Sequence, residues 1–450
     1  MSKKRFLRGT LILTCTGLLS RLIGFFYRIF LSHSIGAQGL GIYQLVVPIQ
    51  TLILAVTTAG VQTAISRLAA SRIALGKEKE ARDYFSLGTA FAVVFSVAAS
   101  CLVYENAAFF AVQILKEPRT LSLIRLLAFS FPLSTLHSCI NSYYFAQKRT
   151  GLPSGIQLLE QIIRVGTCYL LYLIFLSEGR EITPLIAIGG TLASEVAASL
   201  VSVFAICLNF RKHGYTPLKI SRPLHGMKDI LHMSLPLSLN RLLLTLLGSI
   251  EVVLIPQRLR MSGLSSADAL SIYGVFTGMA LPLILFPSTV TNSASVMLMP
   301  SIAELQALGY KRRINYVIGH TARYCMILGG VCGVAFFLFG KPMGTFMFKS
   351  PTAGVYIQTM SFICPFLYMN TTLSSVLNGL GKPGLCLIHS VVGISIRIGF
   401  VLFAIPVMGI RGYLYGILLS ELILTVLHVT ALYRYLGDKN GSNPVTADNR

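Results

Sequence analysis

Long apolar runs separated by short polar breaks follow one another from end to end of this chain. Most reach the ~20 residues a helix needs to cross a ~30 Å hydrocarbon core. The pattern predicts twelve spanning helices, at 9–31, 41–65, 84–104, 120–146, 153–176, 184–209, 230–255, 271–299, 317–340, 354–380, 384–407 and 411–436. Several exceed a perpendicular crossing and would tilt or extend beyond the membrane. The stretch Arg67–Asp83 reads as a short amphipathic helix on the inner leaflet. The polar tail 437–450 reads as disordered. The N-terminus, MSKKRFLR before an apolar run, has the charge of a signal peptide. Its apolar run to about Leu31 and the lack of a small-residue cleavage site predict a retained first helix instead.

Composition agrees with the pattern. The chain of 450 residues is 54% hydrophobic and 12% charged, where a soluble domain is about a quarter charged. The formal net charge of +22 does not gather on any domain that could bind nucleic acid. It lies mostly in short loops. Alternate polar breaks, with the termini, hold 23 Lys and Arg against eight on the other side, so the positive-inside rule places both termini in the cytoplasm. The nine cysteines fall mostly in apolar runs with no CxxC or metal-ligand spacing, and read as small buried residues with neither disulfides nor a metal.

The two halves repeat. At a constant offset of 233, Ala74-Leu75-Gly76 matches Ala307-Leu308-Gly309, Pro132 matches Pro365, Arg149 matches Lys382 and Arg164 matches Arg397. After a seven-residue shift, Gly190 and Ser194-Glu195 match Gly416 and Ser420-Glu421. Six helices per half, each half starting on the same side, make a parallel repeat about an axis along the membrane normal. The expected organisation is a first six-helix lobe over 1–210, a cytoplasmic linker at 211–229, a second lobe over 230–436 and the tail 437–450. The fold class is an all-α polytopic membrane protein, with two repeated lobes around a central cavity.

Charges inside the spans are the candidate chemistry. At 1.5 Å per residue, Arg21 lies ~18 Å along its helix, near mid-membrane. Glu160 and Arg164 in the fifth span, Glu195 in the sixth, Arg241 in the seventh, Arg397 in the eleventh and Glu421 in the twelfth sit at similar depth. Arg28 and Glu251 lie nearer the outer ends, where snorkelling is open to them. A charge at the bilayer centre costs at least ~2.5–3.5 kcal/mol on insertion scales, so these side chains face a bundle interior or a watery cavity. Glu160 and Arg164, four apart, are also placed for a mutual ion pair. The position equivalent to Glu160 in the second half is Gly393, so Arg397 lacks that local acid. Glu195 and Glu421 are equally suited to neutralising arginines on neighbouring helices. Prolines 48, 132, 236, 282, 287, 365 and 406 interrupt their spans, as transport hinges or as kinks of a static bundle. His137 and His428 read as packed or hydrogen-bonded residues rather than proton carriers.

No Walker A, HExxH or Gly-x-Ser-x-Gly motif is present, nor a soluble domain to couple ATP, which excludes the common enzyme classes and leaves a gradient-driven or potential-driven transporter. The stretches Arg21-Leu22-Ile23-Gly24-Phe25-Phe26-Tyr27-Arg28 and Ile35-Gly36-Ala37-Gln38-Gly39-Leu40-Gly41-Ile42-Tyr43 resemble the start of the sporulation and lipid II flippase branch of the multidrug/oligosaccharidyl-lipid/polysaccharide exporter superfamily. Ala64-Ile65-Ser66-Arg67-Leu68, Met299-Pro300-Ser301-Ile302-Ala303-Glu304 and Leu377-Asn378-Gly379-Leu380-Gly381-Lys382-Pro383 fit as well. The resemblance implies alternating access and a polyprenyl-diphosphate-linked saccharide as cargo. It implies a cationic cavity to which Arg21 and Arg28, at matching motif positions, contribute. Arg241, Arg164 and Arg397 are the further cationic candidates, with Glu160, Glu195, Glu421 and Glu251 as charge partners; arginine's planar fork suits phosphate oxygens. Lipid II flippases typically carry two further C-terminal helices that no stretch after Arg434 supplies, which leaves room for another lipid-linked oligosaccharide.

The expected protein is a monomeric, cofactor-free flippase in a bacterial cytoplasmic membrane, with membrane lipids and a lipid-linked saccharide as partners and no nucleic acid. Coupling to Na+, H+ or membrane potential stays open. The rival is a multidrug and toxic compound extrusion transporter of organic cations.

Overall fold

The computed structural model describes residues 3–215 and 223–438, with side chains described between Cys15 and Tyr435 except at 236, 296, 297, 300, 307 and 311. All secondary structure among the described residues is helical. A bilayer core offers no water to backbone groups, so apolar stretches of this length satisfy themselves as helices. The helices are α1 (Lys3–Ser34), α2 (Gly36–Ala74), α3 (Glu78–Glu105), α4 (Pro118–Ala128 with Ser130–Ala146), α5 (Gly151–Ser177) and α6 (Leu185–Lys212). There follow α7 (Pro223–Met261), α8 (Ser266–Leu285 with Ser288–Ala307), α9 (Lys311–Phe348), α10 (Pro351–Gly379), α11 (Pro383–Phe403) and α12 (Ile410–Asp438). Among the described residues eleven are long and apolar enough to span, and α4, bent by 42°, makes a twelfth. They follow the twelve expected spans in order. Segments 216–222 and 439–450, which carry part of the expected linker and nearly all of the tail, lie outside the described residues.

Two details differ from the sequence reading. Arg67–Asp83 is not a separate amphipathic helix. Its first part completes α2 and its last part opens α3, because Gly76 adopts φ 73° and turns the chain between them. The helix ending at Met261 begins at Pro223, several residues before the expected start.

Packing divides the described chain into two compact units. The first runs to Gln257 and also takes Ser265–Gly278; the second takes Arg258–Leu264 and continues from Met279. The reason α7 and the front of α8 join the first unit is close backbone approach to α2. A Cβ on Gly60 would lie 2.0 Å from Ser238 Oγ and 2.4 Å from the Ser234 carbonyl, and one on Gly41 would lie 2.1 Å from the Leu270 carbonyl. Within this unit, one apolar core joins α2, α3, α4, α6 and α7 around Ile65, Phe85, Tyr143 and Ile230. Another joins α2, α4 and α8 around Leu45, Ile124, Phe131 and Leu270. The second unit's core gathers Ile302, Leu373, Leu377 and Leu432.

The repeat is written into the backbone of each unit. Lys116 (φ 53°) and Lys349 (φ 49°), both left-handed, are 233 positions apart. So are Gly76 (φ 73°) and Gly309 (φ 72°), and Lys148 (φ 58°) and Gly381 (φ 72°). Pro118 and Pro351, at the same spacing, each sit at the first position of a helix, where a fixed φ and a missing N–H cost nothing. A non-glycine residue at positive φ is uncommon, so the Lys116/Lys349 pair, joined at the same spacing by two left-handed pairs that include glycine, points to a duplicated unit.

Candidate functional site

Each unit holds a polar centre built from equivalent residues. In the first, α4 brings His137 to Glu195 of α6, with His137 Nε2 2.8 Å from Glu195 Oε2. Both are buried. One helical turn apart on α5, Arg164 Nη2 donates to Glu160 Oε1, and both side chains are about four-fifths buried. The orientation, Glu before Arg at i,i+4, is the favourable one.

Helix α1 packs on α5 beside this centre. Phe30 meets the rings of Tyr169 and Tyr172 edge-on at 5.8 and 5.5 Å, and the Gly24 backbone approaches Gln161. Arg21, Gly24 and Arg28 share one stripe of α1, at i, i+3 and i+7, and Gly24 shows that this stripe borders α5. Arg21 is exposed and Arg28 half-buried. Tyr27 and Tyr43 lie within electrostatic reach of both Arg28 and Arg164. The first unit thus brings Arg28, Arg164, Glu160 and Glu195 into one neighbourhood with His137, Tyr27 and Tyr43. The two tyrosines were missed in the sequence, although both stand inside the quoted motif stretches.

In the second unit the same positions carry a different set. Asn370, 233 positions after His137, donates from Nδ2 to Glu421 Oε2 at 2.8 Å and to the Glu421 carbonyl at 2.9 Å. Thr425 Oγ1 donates to Asn370 Oδ1 at 2.8 Å and fixes the amide's orientation. Arg397 Nη1 lies 3.9 Å from Glu421 Oε1. With Gly393 in the place of Glu160, the arginine draws its acid from α12 rather than from its own helix. Glu195 is held by His137, with Arg164 of α5 in electrostatic reach.

Arg241 lies exposed midway along α7, and Glu251 is buried two to three turns further along the same helix, within electrostatic reach of Tyr273. The leading groups acting on Arg28 and Arg164 come from α1, α2, α5 and α6. No group of three or more metal-ligating side chains occurs among the described residues. Nothing in this geometry activates a nucleophile; it holds charges within the membrane.

A family profile described as Polysaccharide biosynthesis protein matches residues 6–306, two thirds of the chain. The chain belongs to that family. It is 28% identical over 446 residues to Stage V sporulation protein B of Bacillus subtilis (strain 168), covering 97% of this chain and 85% of the relative. It is 23% identical over 427 residues to Lipid II flippase MurJ of the same organism, covering 88% of this chain and 77% of the relative. Among solved structures, the inward-facing conformation of a multidrug resistance MATE family transporter of the MOP superfamily superposes with a TM-score of 0.69 at 16% identity. That superposition covers 94% of this chain and 96% of the other, and shares the fold. This member of the polysaccharide biosynthesis family is therefore a multi-pass membrane protein with a transporter fold and not an enzyme.

Proposed function

We propose that this protein is an alternating-access flippase that moves polyprenyl-diphosphate-linked saccharides, precursors of a cell-envelope or spore-wall polysaccharide, across the cytoplasmic membrane. The observation that carries the reading is an arginine within a membrane-spanning helix of each unit, Arg164 and Arg397, beside acids that do not outnumber the cations around them. A guanidinium in that position is costly in lipid and suited to phosphate oxygens. Likeness to a lipid II flippase and to a sporulation protein along most of the chain supports the same cargo class.

Arg21, Arg28, Arg164, Arg241 and Arg397 are the cationic contacts in this reading, and Glu160, Glu195, Glu421 and Glu251 are the acids that balance them. The lobes are taken as the six-helix repeats 1–210 and 230–436, joined through 211–229, with α7 and the front of α8 packed into the first compact unit. Both termini lie in the cytoplasm and the protein works as a monomer, with no nucleic acid. The MATE-like fold also favours a second reading, export of organic cations. Reconstitution into vesicles separates the two. Labelled lipid-linked sugars should cross and cationic dyes should not; movement of the dye alone overturns the flippase reading.

A further inference from the structure

A second polar site stands apart from the two centres. At the end of the first unit where α2 turns into α3 and where α4 and α6 finish, a pocket of about 160 Å³ is lined by Ile73, Glu78, Arg82, Tyr143, Gln147, Arg149, Asn209 and His213. These residues sit at or just beyond the ends of their spans. The loops at this end are the basic ones.

Its hydrogen-bond bookkeeping does not close. The Arg82 side chain is nine-tenths buried; Nη2 donates to Glu78 Oε2 at 2.7 Å, while Nε has no acceptor. Asn209 Oδ1 is a buried acceptor with no donor, and Gln147 Oε1, with the Tyr143 hydroxyl in reach of it and of Arg82, makes no well-aligned hydrogen bond. His213 Nδ1 donates to the Asn209 carbonyl at 2.8 Å, which fixes the ring at the rim. The exposed Arg149 adds a second cation. A buried charged donor left unmet is costly, and so is a buried amide oxygen. Water would serve the acceptors but would leave two guanidinium groups facing one carboxylate.

One kind of ligand meets every group at once. An anionic phosphate satisfies Arg82 Nε and Arg149, with arginine's preference for phosphate oxygens. Adjacent hydroxyls donate to Gln147 Oε1 and Asn209 Oδ1. We infer that this pocket binds a phosphate–polyol group, the chemistry of a phosphoglycerol headgroup. Its place at the span ends puts it in reach of an acidic lipid of the leaflet on the basic side, while a soluble glycerol phosphate has the same chemistry. Neither role requires the transport cargo, so the site stands or falls separately from the flippase reading.

The test uses the purified full chain in neutral detergent, with binding read by native mass spectrometry and by thermal shift. The probes are phosphatidylglycerol, phosphatidic acid, phosphatidylcholine and soluble glycerol 3-phosphate. Phosphatidylglycerol should bind several-fold tighter than phosphatidic acid, which lacks the polyol, and far tighter than phosphatidylcholine. Arg149→Gln, an exposed change that leaves the fold alone, should weaken phosphatidylglycerol about tenfold. Asn209→Leu should erase the preference over phosphatidic acid. Glycerol 3-phosphate binding that also falls in Arg149→Gln, without a lipid preference, assigns the same site to a soluble ligand. Binding unchanged by Arg149→Gln, or reduced equally by Arg313→Gln in the second unit, means general attraction to a basic surface and overturns the site.

Discussion

The two polar centres supply an internal control for the hydrogen bond that fixes Glu195. His137→Leu removes the donor 2.8 Å from Glu195 Oε2 and keeps a side chain of similar bulk, so the loss is electrostatic rather than a cavity. The carboxylate, 5% exposed, is then stranded. Breaking a buried pair by removing one partner costs about 3–5 kcal/mol. His137→Asn installs instead the residue found at the equivalent place in the second unit, where Asn370 Nδ2 reaches Glu421 Oε2 at 2.8 Å. The amide is shorter than the imidazole, so part of the bond is lost, at about 1 kcal/mol. At about 2 °C per kcal/mol for a large unit, the melting temperature in detergent should fall about 6–10 °C for His137→Leu and about 2 °C for His137→Asn. Glu195→Gln combined with His137→Leu should recover part of the leucine variant's loss, since an amide is cheaper to strand than a carboxylate. Equal losses for the leucine and asparagine variants, or a leucine variant as stable as the parent, would refute this account of Glu195.

Arg21→Ala and Arg241→Ala should each abolish complementation of a flippase-depleted strain while leaving membrane levels unchanged; normal growth of both sinks the cationic-cavity proposal. Gly60→Val should cost about 1–3 kcal/mol in chemical denaturation, because its Cβ meets Ser238 Oγ at 2.0 Å and the Ser234 carbonyl at 2.4 Å. Adding Ser238→Ala should rescue it only in part, since the carbonyl is backbone. Tyr215→Phe removes the 2.8 Å bond from the Tyr215 hydroxyl to Asp83 Oδ1 and should cost about 1 kcal/mol. Burial raises the Tyr215 phenol above its ordinary value, so its contribution is full below about pH 10 and is lost as pH rises beyond that. The gap in melting temperature between parent and Tyr215→Phe should stay constant from about pH 6 to 9 and narrow above pH 10.

What could be read without the structure followed from rules that act along the chain. Span length, loop charge and the offset of 233 are local or periodic signals, and the helices and the left-handed pairs Lys116/Lys349 and Gly76/Gly309 carry the same register. The Glu160–Arg164 pair belongs to this class, because four residues on one helix settle it. The His137–Glu195 bond does not. The two residues are 58 positions apart on separate helices, and nothing in either helix says which neighbour faces it. Tyr27 and Tyr43 were hidden for the same reason, since their value lies in a shared reach to Arg28 and Arg164. Arg67–Asp83 was misread because its charge pattern suits a surface helix, while one glycine at positive φ decides that the chain turns.

The differences between the two centres bear on which charge is the point of the arrangement. In both units a side chain from the fourth helix of the repeat, His137 or Asn370, donates to an acid of the sixth, Glu195 or Glu421. That bond meets one oxygen of the acid and ties two helices together. Neither donor is an arginine. Yet each unit also carries one at the same position of the fifth helix, and its acid differs: Glu160 on the same helix in the first unit, Glu421 across a helix boundary in the second. If the arginine served only to complete an ion pair, loss of the local glutamate at Gly393 would have made Arg397 a liability. Its insertion cost of at least ~2.5–3.5 kcal/mol would remain, with the acid at 3.9 Å supplied by another helix. A cation present in both copies while its counter-charge changes is what a requirement for the cation itself produces. Replacing Arg397 with Leu, together with Glu421→Gln to remove the stranded acid, separates the alternatives. Near-parental stability with transport lost is the outcome expected if the cation meets cargo, and retained transport would reduce Arg397 to a structural pair.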